Sequence, residues 1–217
     1  VTEIKICGLT RPEDVALACE LGARYVGLNF AAVSPRRVGK DVAGELARAT
    51  APGVERVGIF VGEPAEEIRR AVDAARLDLI QIQRPLTETD LALPRPVVAW
   101  LGVDLWAEVG GTPLELAARC RAILVDTAAP GGLPGGTGRA FDWSALEGRK
   151  FPVPVWLAGG LRAENVAEAI RRVRPAAVDV ASGVESAPGI KDRSRMEAFF
   201  LAVKRADGEA ERNAQTA

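Results

Sequence analysis

Short runs rich in Val, Ile and Leu recur along the chain, and the stretches between them carry apolar positions at helical spacing. The first run, Ile4–Cys7, predicts a strand that stops at a cysteine and breaks at Gly8. A helix should begin near Pro12, with Glu13 and Asp14 in its first turn, and end at Gly22. Tyr25–Phe30 reads as a strand covered on both faces, because it lacks the strict alternation of a half-exposed one. A helix through Leu46 follows, then a strand at Arg56–Val61 and a helix from about Pro64. Leu77–Gln83 is the fourth strand, trailed by a short helix at Thr89–Leu93, and Val97–Val103 is the fifth, with Pro113–Arg119 as its helix.

The sixth strand is Ala122–Asp126, after which Ala128–Gly138 is a Gly/Pro-rich loop and Asp142–Leu146 a short helix. Val153–Ala158 is the seventh strand, ending in Gly159-Gly160, with a helix from Arg162 to Val173. Ala177–Ala181 is the eighth, ending in Ser182-Gly183, and Arg193–Lys204 is the final helix. A polar, flexible tail is expected over 206–217, leaving a single domain at 1–205.

Strand–helix units of about 27 residues, repeated eight times in 217 residues, predict an α/β (β/α)8 TIM barrel of compact size. An open doubly wound sheet is the alternative. It would carry a Gly-rich fingerprint after its first strand, where this chain has Cys-Gly-Leu-Thr; the glycine-rich turns fall after strands six, seven and eight.

The barrel reading says where to look, because such folds gather their chemistry at the C-terminal ends of the strands. Those ends carry Cys7, Asn29, Phe30, Val61, Gln83, Val103, Asp104, Asp126, Gly159, Gly160, Ser182 and Gly183. Cys7 and Asp126 end strands one and six, so they face one another across the mouth as a candidate proton-removing and proton-delivering pair. Glycines at 159, 160 and 183, with Ser182, let backbone N–H groups approach an anion, and the loops after strands seven and eight are this fold's usual phosphate site. Arg36, in the loop after strand two, suits a carboxylate held through two parallel hydrogen bonds. Gly135-Gly136-Thr137-Gly138 is a weaker candidate, a lid or a second backbone grip on an anion.

Composition narrows the chemistry further. The chain has no histidine, which removes every imidazole acid, base or metal ligand. Its three cysteines, Cys7, Cys19 and Cys120, are too widely spaced for a disulfide framework and suit a reducing compartment. Cys19 falls on the apolar side of the first helix and Cys120 reads as structural. With 28 basic against 29 acidic residues the net charge is −1, so no global field recruits nucleic acid or a membrane surface. No spanning segment or signal peptide is visible, and a cytoplasmic location is expected. Abundant Arg, Glu, Ala and Pro fit either a thermostable protein or a GC-rich genome.

The ordered motifs Lys5-Ile6-Cys7-Gly8-Leu9-Thr10, Ser34-Pro35-Arg36, Gly136-Thr137-Gly138, Phe141-Asp142-Trp143, Leu157-Ala158-Gly159-Gly160-Leu161, Val178-Asp179-Val180, Ser182-Gly183-Val184-Glu185 and Pro188-Gly189-Ile190-Lys191-Asp192 resemble the phosphoribosylanthranilate isomerases of tryptophan biosynthesis. The resemblance implies an Amadori rearrangement of a phosphoribosyl aminoaldose, without cofactor or metal, in a monomer or homodimer. It makes Cys7 the base that takes the C2′ proton and Asp126 the acid that protonates the ring oxygen. Arg36 would pair with the anthranilate carboxylate, Gly136 would contact substrate, and Gly159, Gly160, Ser182 and Gly183 would hold the phosphate. Two stretches depart from the family pattern. Gln81-Ile82-Gln83-Arg84 stands where Gln-Leu-His-Gly is usual, and Ala31-Ala32-Val33 replaces an aromatic and a Pro-Lys pair. Competing readings are another phosphosugar enzyme, including a Schiff-base lyase with Lys5 as its amine, and a phosphosugar-binding barrel without turnover.

Overall fold

The computed structural model describes residues 1–102, 114–126 and 142–215. Eight parallel strands close into a barrel in chain order. They are β1 (Glu3–Cys7), β2 (Tyr25–Asn29), β3 (Glu55–Phe60), β4 (Leu79–Ile82), β5 (Val97–Gly102), β6 (Ala122–Asp126), β7 (Val155–Leu157) and β8 (Ala177–Val180). Closure comes from β8 pairing with β1, which sets Lys5 beside Asp179 and Ile6 beside Val180. Helices α1 (Pro12–Leu21), α2 (Lys40–Ala49), α3 (Ala65–Ala75), α4 (Leu114–Ala117), α5 (Val166–Val173) and α6 (Arg193–Gln215) lie in the connections and after β8. No described helix is long and apolar enough to cross a membrane.

Two apolar clusters follow from the period-two alternation of the strands. One set of strand residues, including Ile6, Leu28, Ile80, Ile123 and Val178, packs under helix residues such as Val15, Leu46, Ile68, Ile170 and Phe199. The alternate set, Tyr25, Val57, Leu79, Val98, Trp100, Leu124, Trp156 and Ala177, fills the barrel interior. Burying each large side chain of either set contributes roughly 1.5–3 kcal/mol. The rings of Tyr25 and Trp156 lie 4.4 Å apart in that interior, and the Tyr25 hydroxyl donates to Glu3 Oε2 at 2.6 Å. The N-terminal end of the barrel is therefore packed shut. Function is left to the other end.

Three details differ from the sequence reading. Helix α5 starts at Val166, because the Asn165 side chain holds the preceding residues in a turn. Its Oδ1 accepts from Arg162 N at 2.8 Å and its Nδ2 donates to the Gly160 carbonyl at 3.0 Å. Between β8 and α6 the chain makes a 3-10 turn (Ser182–Val184) and a hairpin of β9 (Glu185–Ala187) with β10 (Ile190–Lys191), none of which the hydrophobic pattern announced. Finally, α6 runs through the expected start of a tail. Ala206 is buried, and Asp207 accepts from Thr2 N and Thr2 Oγ1, both at 2.7 Å, so helix and first strand are tied together past residue 205. The boundary expected at Ala206 is thus interior to a helix.

Candidate active site

The inward face of each strand continues from apolar to polar towards the C-terminal end. On β1 the outward residues are Ile4 and Ile6, so Lys5 and Cys7 point inward. On β4 the inward series is Leu79, Gln81 and then Gln83; on β6 it is Ala122, Leu124 and Asp126; on β8 it is Ala177 and Asp179. Strand parity and closure register thereby gather one thiol, one lysine, two amides and two carboxylates in the inner layers towards the C-terminal end of the barrel. A cavity of about 230 Å³ opens above them. Its lining includes Cys7, Asn29, Arg36, Gln83, Asp126, Gly159, Gly160, Asp179 and Ser182.

Of the sequence-predicted residues, Cys7, Asp126, Arg36, Gly159, Gly160 and Ser182 meet around this cavity. Gly183 lies behind it, in an adjoining cavity that shares Gly160, Leu161 and Ser182. There a Cβ would come within 2.0 Å of the Leu161 carbonyl oxygen, so a glycine is what lets the loops after β7 and β8 touch. Gly159 and Gly160 both take left-handed backbone, with φ of 87° and 61°, which other residues adopt only with strain. That consecutive turn exposes the backbone of the β7 loop to the cavity. Phe30, another strand-end residue, points away and stacks on Phe60 at 5.1 Å. Gly136, the Gly135–Gly138 stretch, Val103 and Asp104 lie outside the described residues.

The Cys7 wall is charged and held by ion pairs, although Asp179 Oδ1 is buried without a partner among the described residues. Lys5 is completely buried, and its Nζ donates to Asp179 Oδ2 at 2.9 Å. Burial works against the ammonium, but Asp179 and a hydrogen bond to Cys7 outweigh it and hold Lys5 above its ordinary value. For Cys7, burial and the Asp179 charge push the thiol up, while Lys5 and Lys191 pull it down without prevailing. At neutral pH the resting residue is therefore a thiol, with the Lys5 ammonium beside it and Lys191 as a second basic neighbour. Lys191, on β10, donates to the Cys7 carbonyl at 2.6 Å, the Ala181 carbonyl at 3.2 Å and Glu185 Oε1 at 2.8 Å. Burial lowers its pKa despite Glu185.

Arg36 approaches from the loop after β2. Its Nε and Nη2 grip Glu185 at 2.7–3.1 Å, and that hydrogen-bonded pairing raises the arginine. Burial would raise Glu185, yet Arg36 and Lys191 together hold its carboxyl below the usual value of 4.5. Nη1 has no partner among the described residues, so the guanidinium keeps one edge for the cavity. The opposite wall differs. There Gln81 Nε2 donates to Gln83 Oε1 at 2.5 Å, and Gln83 Nε2 donates to Asp126 Oδ2 at 3.3 Å.

Sequence reasoning named Cys7, Asp126 and Arg36, which line the cavity, but gave no role to Asp179, Glu185, Lys191, Gln81 or Gln83. A signal was present: Lys5 between Ile4 and Ile6, and Asp179 between Val178 and Val180, are polar residues at alternate positions of otherwise apolar strands. The Schiff-base reading of Lys5 fails on burial and pairing, since an ammonium locked to Asp179 is neither neutral nor part of the cavity lining. Cys120 is buried, and its thiol is pushed up to about 11 by that burial, as suits a structural residue. Cys19 packs against the core, with its sulfur accepting from Ala51 N at 3.5 Å. Of the two departures, Arg84 pairs with Asp90 at 2.7 Å to close the loop after β4, and Val33 stands exposed at the cavity lip.

Comparison with known proteins places this site in context. The family described as N-(5′-phosphoribosyl)anthranilate (PRA) isomerase matches residues 4–202. A Pseudomonas putida N-(5′-phosphoribosyl)anthranilate isomerase is 45% identical over 207 residues, covering 93% of this chain and 97% of the relative. One from Rhodospirillum centenum is 43% identical over 208 residues, covering 91% and 96%. Among solved structures, phosphoribosyl anthranilate isomerase from Thermotoga maritima superposes with a TM-score of 0.82 at 35% identity, over 96% of this chain and 100% of its own. Another, solved in complex with reduced 1-(o-carboxyphenylamino)-1-deoxyribulose 5-phosphate, gives a TM-score of 0.79 at 33% identity, over 94% and 99%.

Proposed function

The chain belongs to the N-(5′-phosphoribosyl)anthranilate isomerase family, and from that premise we propose that it converts N-(5′-phosphoribosyl)anthranilate to 1-(2-carboxyphenylamino)-1-deoxyribulose 5-phosphate, a step of tryptophan biosynthesis. The observation that supports the assignment of roles is the meeting of the Cys7 thiol and the Asp126 carboxyl around a single cavity, in a chain without histidine.

Asp126 is the general acid. Its proton goes to the furanose ring oxygen, the bond from that oxygen to C1′ breaks, and the nitrogen lone pair closes an iminium at C1′. Cys7 is the general base: the minor thiolate form, whose own proton has first passed to solvent, takes the C2′ proton and becomes the thiol. The electron pair left behind forms the C1′–C2′ double bond and neutralises the nitrogen, and the resulting enolamine tautomerises to the ketose. Lys5 and Lys191 favour the thiolate electrostatically at the moment it is needed. Arg36 offers its Nη1 edge to the anthranilate carboxylate, and the backbone around Gly159, Gly160, Ser182 and Gly183, with Gly136, takes the phosphate. Three free cysteines support a reducing, cytoplasmic setting, and assembly is as a monomer or homodimer.

The direct test is turnover of enzymatically generated phosphoribosylanthranilate, followed by loss of its fluorescence. Turnover that is inhibited competitively by phosphorylated product analogues, and far less by dephosphorylated ones, is the expected outcome. No turnover overturns the assignment.

A further inference from the structure

The hairpin of β9 and β10 touches the site without lining its cavity, and the catalytic roles leave it without a purpose. The Lys191 side chain is fully buried there, where an ammonium is costly and an apolar side chain would pack more cheaply. Its Nζ meets three oxygens: the Cys7 carbonyl at 2.6 Å, Glu185 Oε1 at 2.8 Å and the Ala181 carbonyl at 3.2 Å. All three only accept, since pairing with Arg36 keeps Glu185 ionised. A neutral amine has two hydrogens, so the ammonium alone satisfies the set.

The three acceptors belong to three parts of the site. Cys7 ends β1, Ala181 directly precedes Ser182 after β8, and Glu185 holds Nε and Nη2 of Arg36. The hairpin is itself fixed to the chain leaving β1. Thr10 Oγ1 donates to the Gly189 carbonyl at 2.5 Å, and Lys191 N donates to Asp14 Oδ2 at 3.1 Å. From this geometry we infer that Lys191 is a positioning residue, fixing Cys7, the phosphate loop at Ala181–Ser182 and the Arg36 guanidinium relative to one another. The role rests on Cys7 as the base and Arg36 as the partner of the substrate carboxylate. Arg36 and the phosphate loop grip opposite ends of the substrate while Cys7 acts between them, so their spacing governs both binding and turnover. An ion pair that served stability alone would need Glu185 but not the carbonyls of two neighbouring strand ends.

The test measures kcat and KM per folded enzyme, with thermal unfolding, for wild type, Lys191→Met, Glu185→Gln, Asp207→Ala and Cys7→Ser. Lys191→Met keeps the length of the side chain and removes all three donors. It should lower kcat by roughly tenfold to a hundredfold, as displacing a reacting group by about 1 Å does, and raise KM by about tenfold. Glu185→Gln keeps both carbonyl bonds, so its KM should rise about fivefold while kcat changes less than about twofold. Asp207→Ala cuts the tie to Thr2 outside the site and shows what lost stability alone does, a lower melting temperature with kcat and KM unchanged. Lys191→Met behaving like Asp207→Ala, with Cys7→Ser strongly impaired, overturns the positioning role alone. A Lys191→Met loss confined to KM breaks the link to Cys7, and a wild-type KM in Glu185→Gln breaks the link to Arg36. Where Lys191→Met does not fold, Lys191→Gln, with two donors on a shorter side chain, should show the same paired loss at smaller size, and wild-type constants there refute the role. Full turnover in Cys7→Ser removes the base assignment, and this inference with it.

Discussion

The two walls of the cavity each hold one of the two proposed proton-transfer groups, and they do so by opposite means. The β1/β8 wall holds Cys7 among charges: Lys5 with Asp179, Lys191 with Glu185, and Glu185 with Arg36. The β4/β6 wall holds Asp126 at the end of a neutral amide series. The difference suits the two jobs. A base whose pKa is raised by burial gains from cations that stabilise its ionised form, whereas an acid gains from a partner that orients it while perturbing its proton affinity less than a cation. The charged wall carries a further cost, since each buried ion depends on its partner.

Lys5→Met attacks that dependence and has the largest expected effect. It leaves Asp179 buried beside an apolar side chain, which costs about 3–5 kcal/mol of stability. Lys5→Met combined with Asp179→Asn should recover much of the loss, measured by denaturant unfolding. Additive losses in the double variant would show that the pair is not coupled. Next come Cys7→Ser and Asp126→Asn, each expected to lower kcat by at least ~10²-fold, about 2.7 kcal/mol of barrier, with the fold retained. Near-normal turnover in either removes that residue from the mechanism. Arg36→Ala, at the junction of the charged wall and the substrate, should weaken binding by roughly 1.5–3 kcal/mol, seen in KM more than in kcat. An unchanged KM would mean that the guanidinium serves Glu185 only.

How these walls could be read from the chain differs in the same way. Barrel class, strand order and the pair Cys7 and Asp126 were legible, because β-strand alternation and strand-end position are local signals. The charged wall was only half legible. Lys5 and Asp179 stand out among their apolar neighbours, but their contact depends on the closing register between β1 and β8, which no local pattern encodes. Glu185 and Lys191 meet Arg36 and Cys7 through a hairpin whose strands are too short to show alternation. The amide series is hidden for another reason, since glutamine two residues from glutamine on a strand reads as an ordinary polar run until the β6 neighbour is in place. The tail failed because a helix carrying mostly polar residues was read by its composition, while Thr2 and Asp207 are what tie it down.

The smallest predicted effect is also the one that tests the contrast of walls most directly. Glu185 has its carboxyl held below 4.5, so its ion pairs stabilise the fold fully above that pH and lose their contribution as pH falls through the lower folded value. Wild-type thermal stability should therefore drop below about pH 4.5 partly on account of this residue. Asp90, lowered by Arg84, acts in the same window, so the informative quantity is the difference between variant and wild type. Glu185→Gln should be less stable than wild type at pH 7 and converge towards it as pH falls. Gln83→Met removes no titrating group from the opposite wall, and its stability difference from wild type should stay nearly constant over the same range. Parallel curves for both variants would mean that the Glu185 pairs store no pH-dependent stability, and that the two walls differ in residue type but not in how they hold the fold.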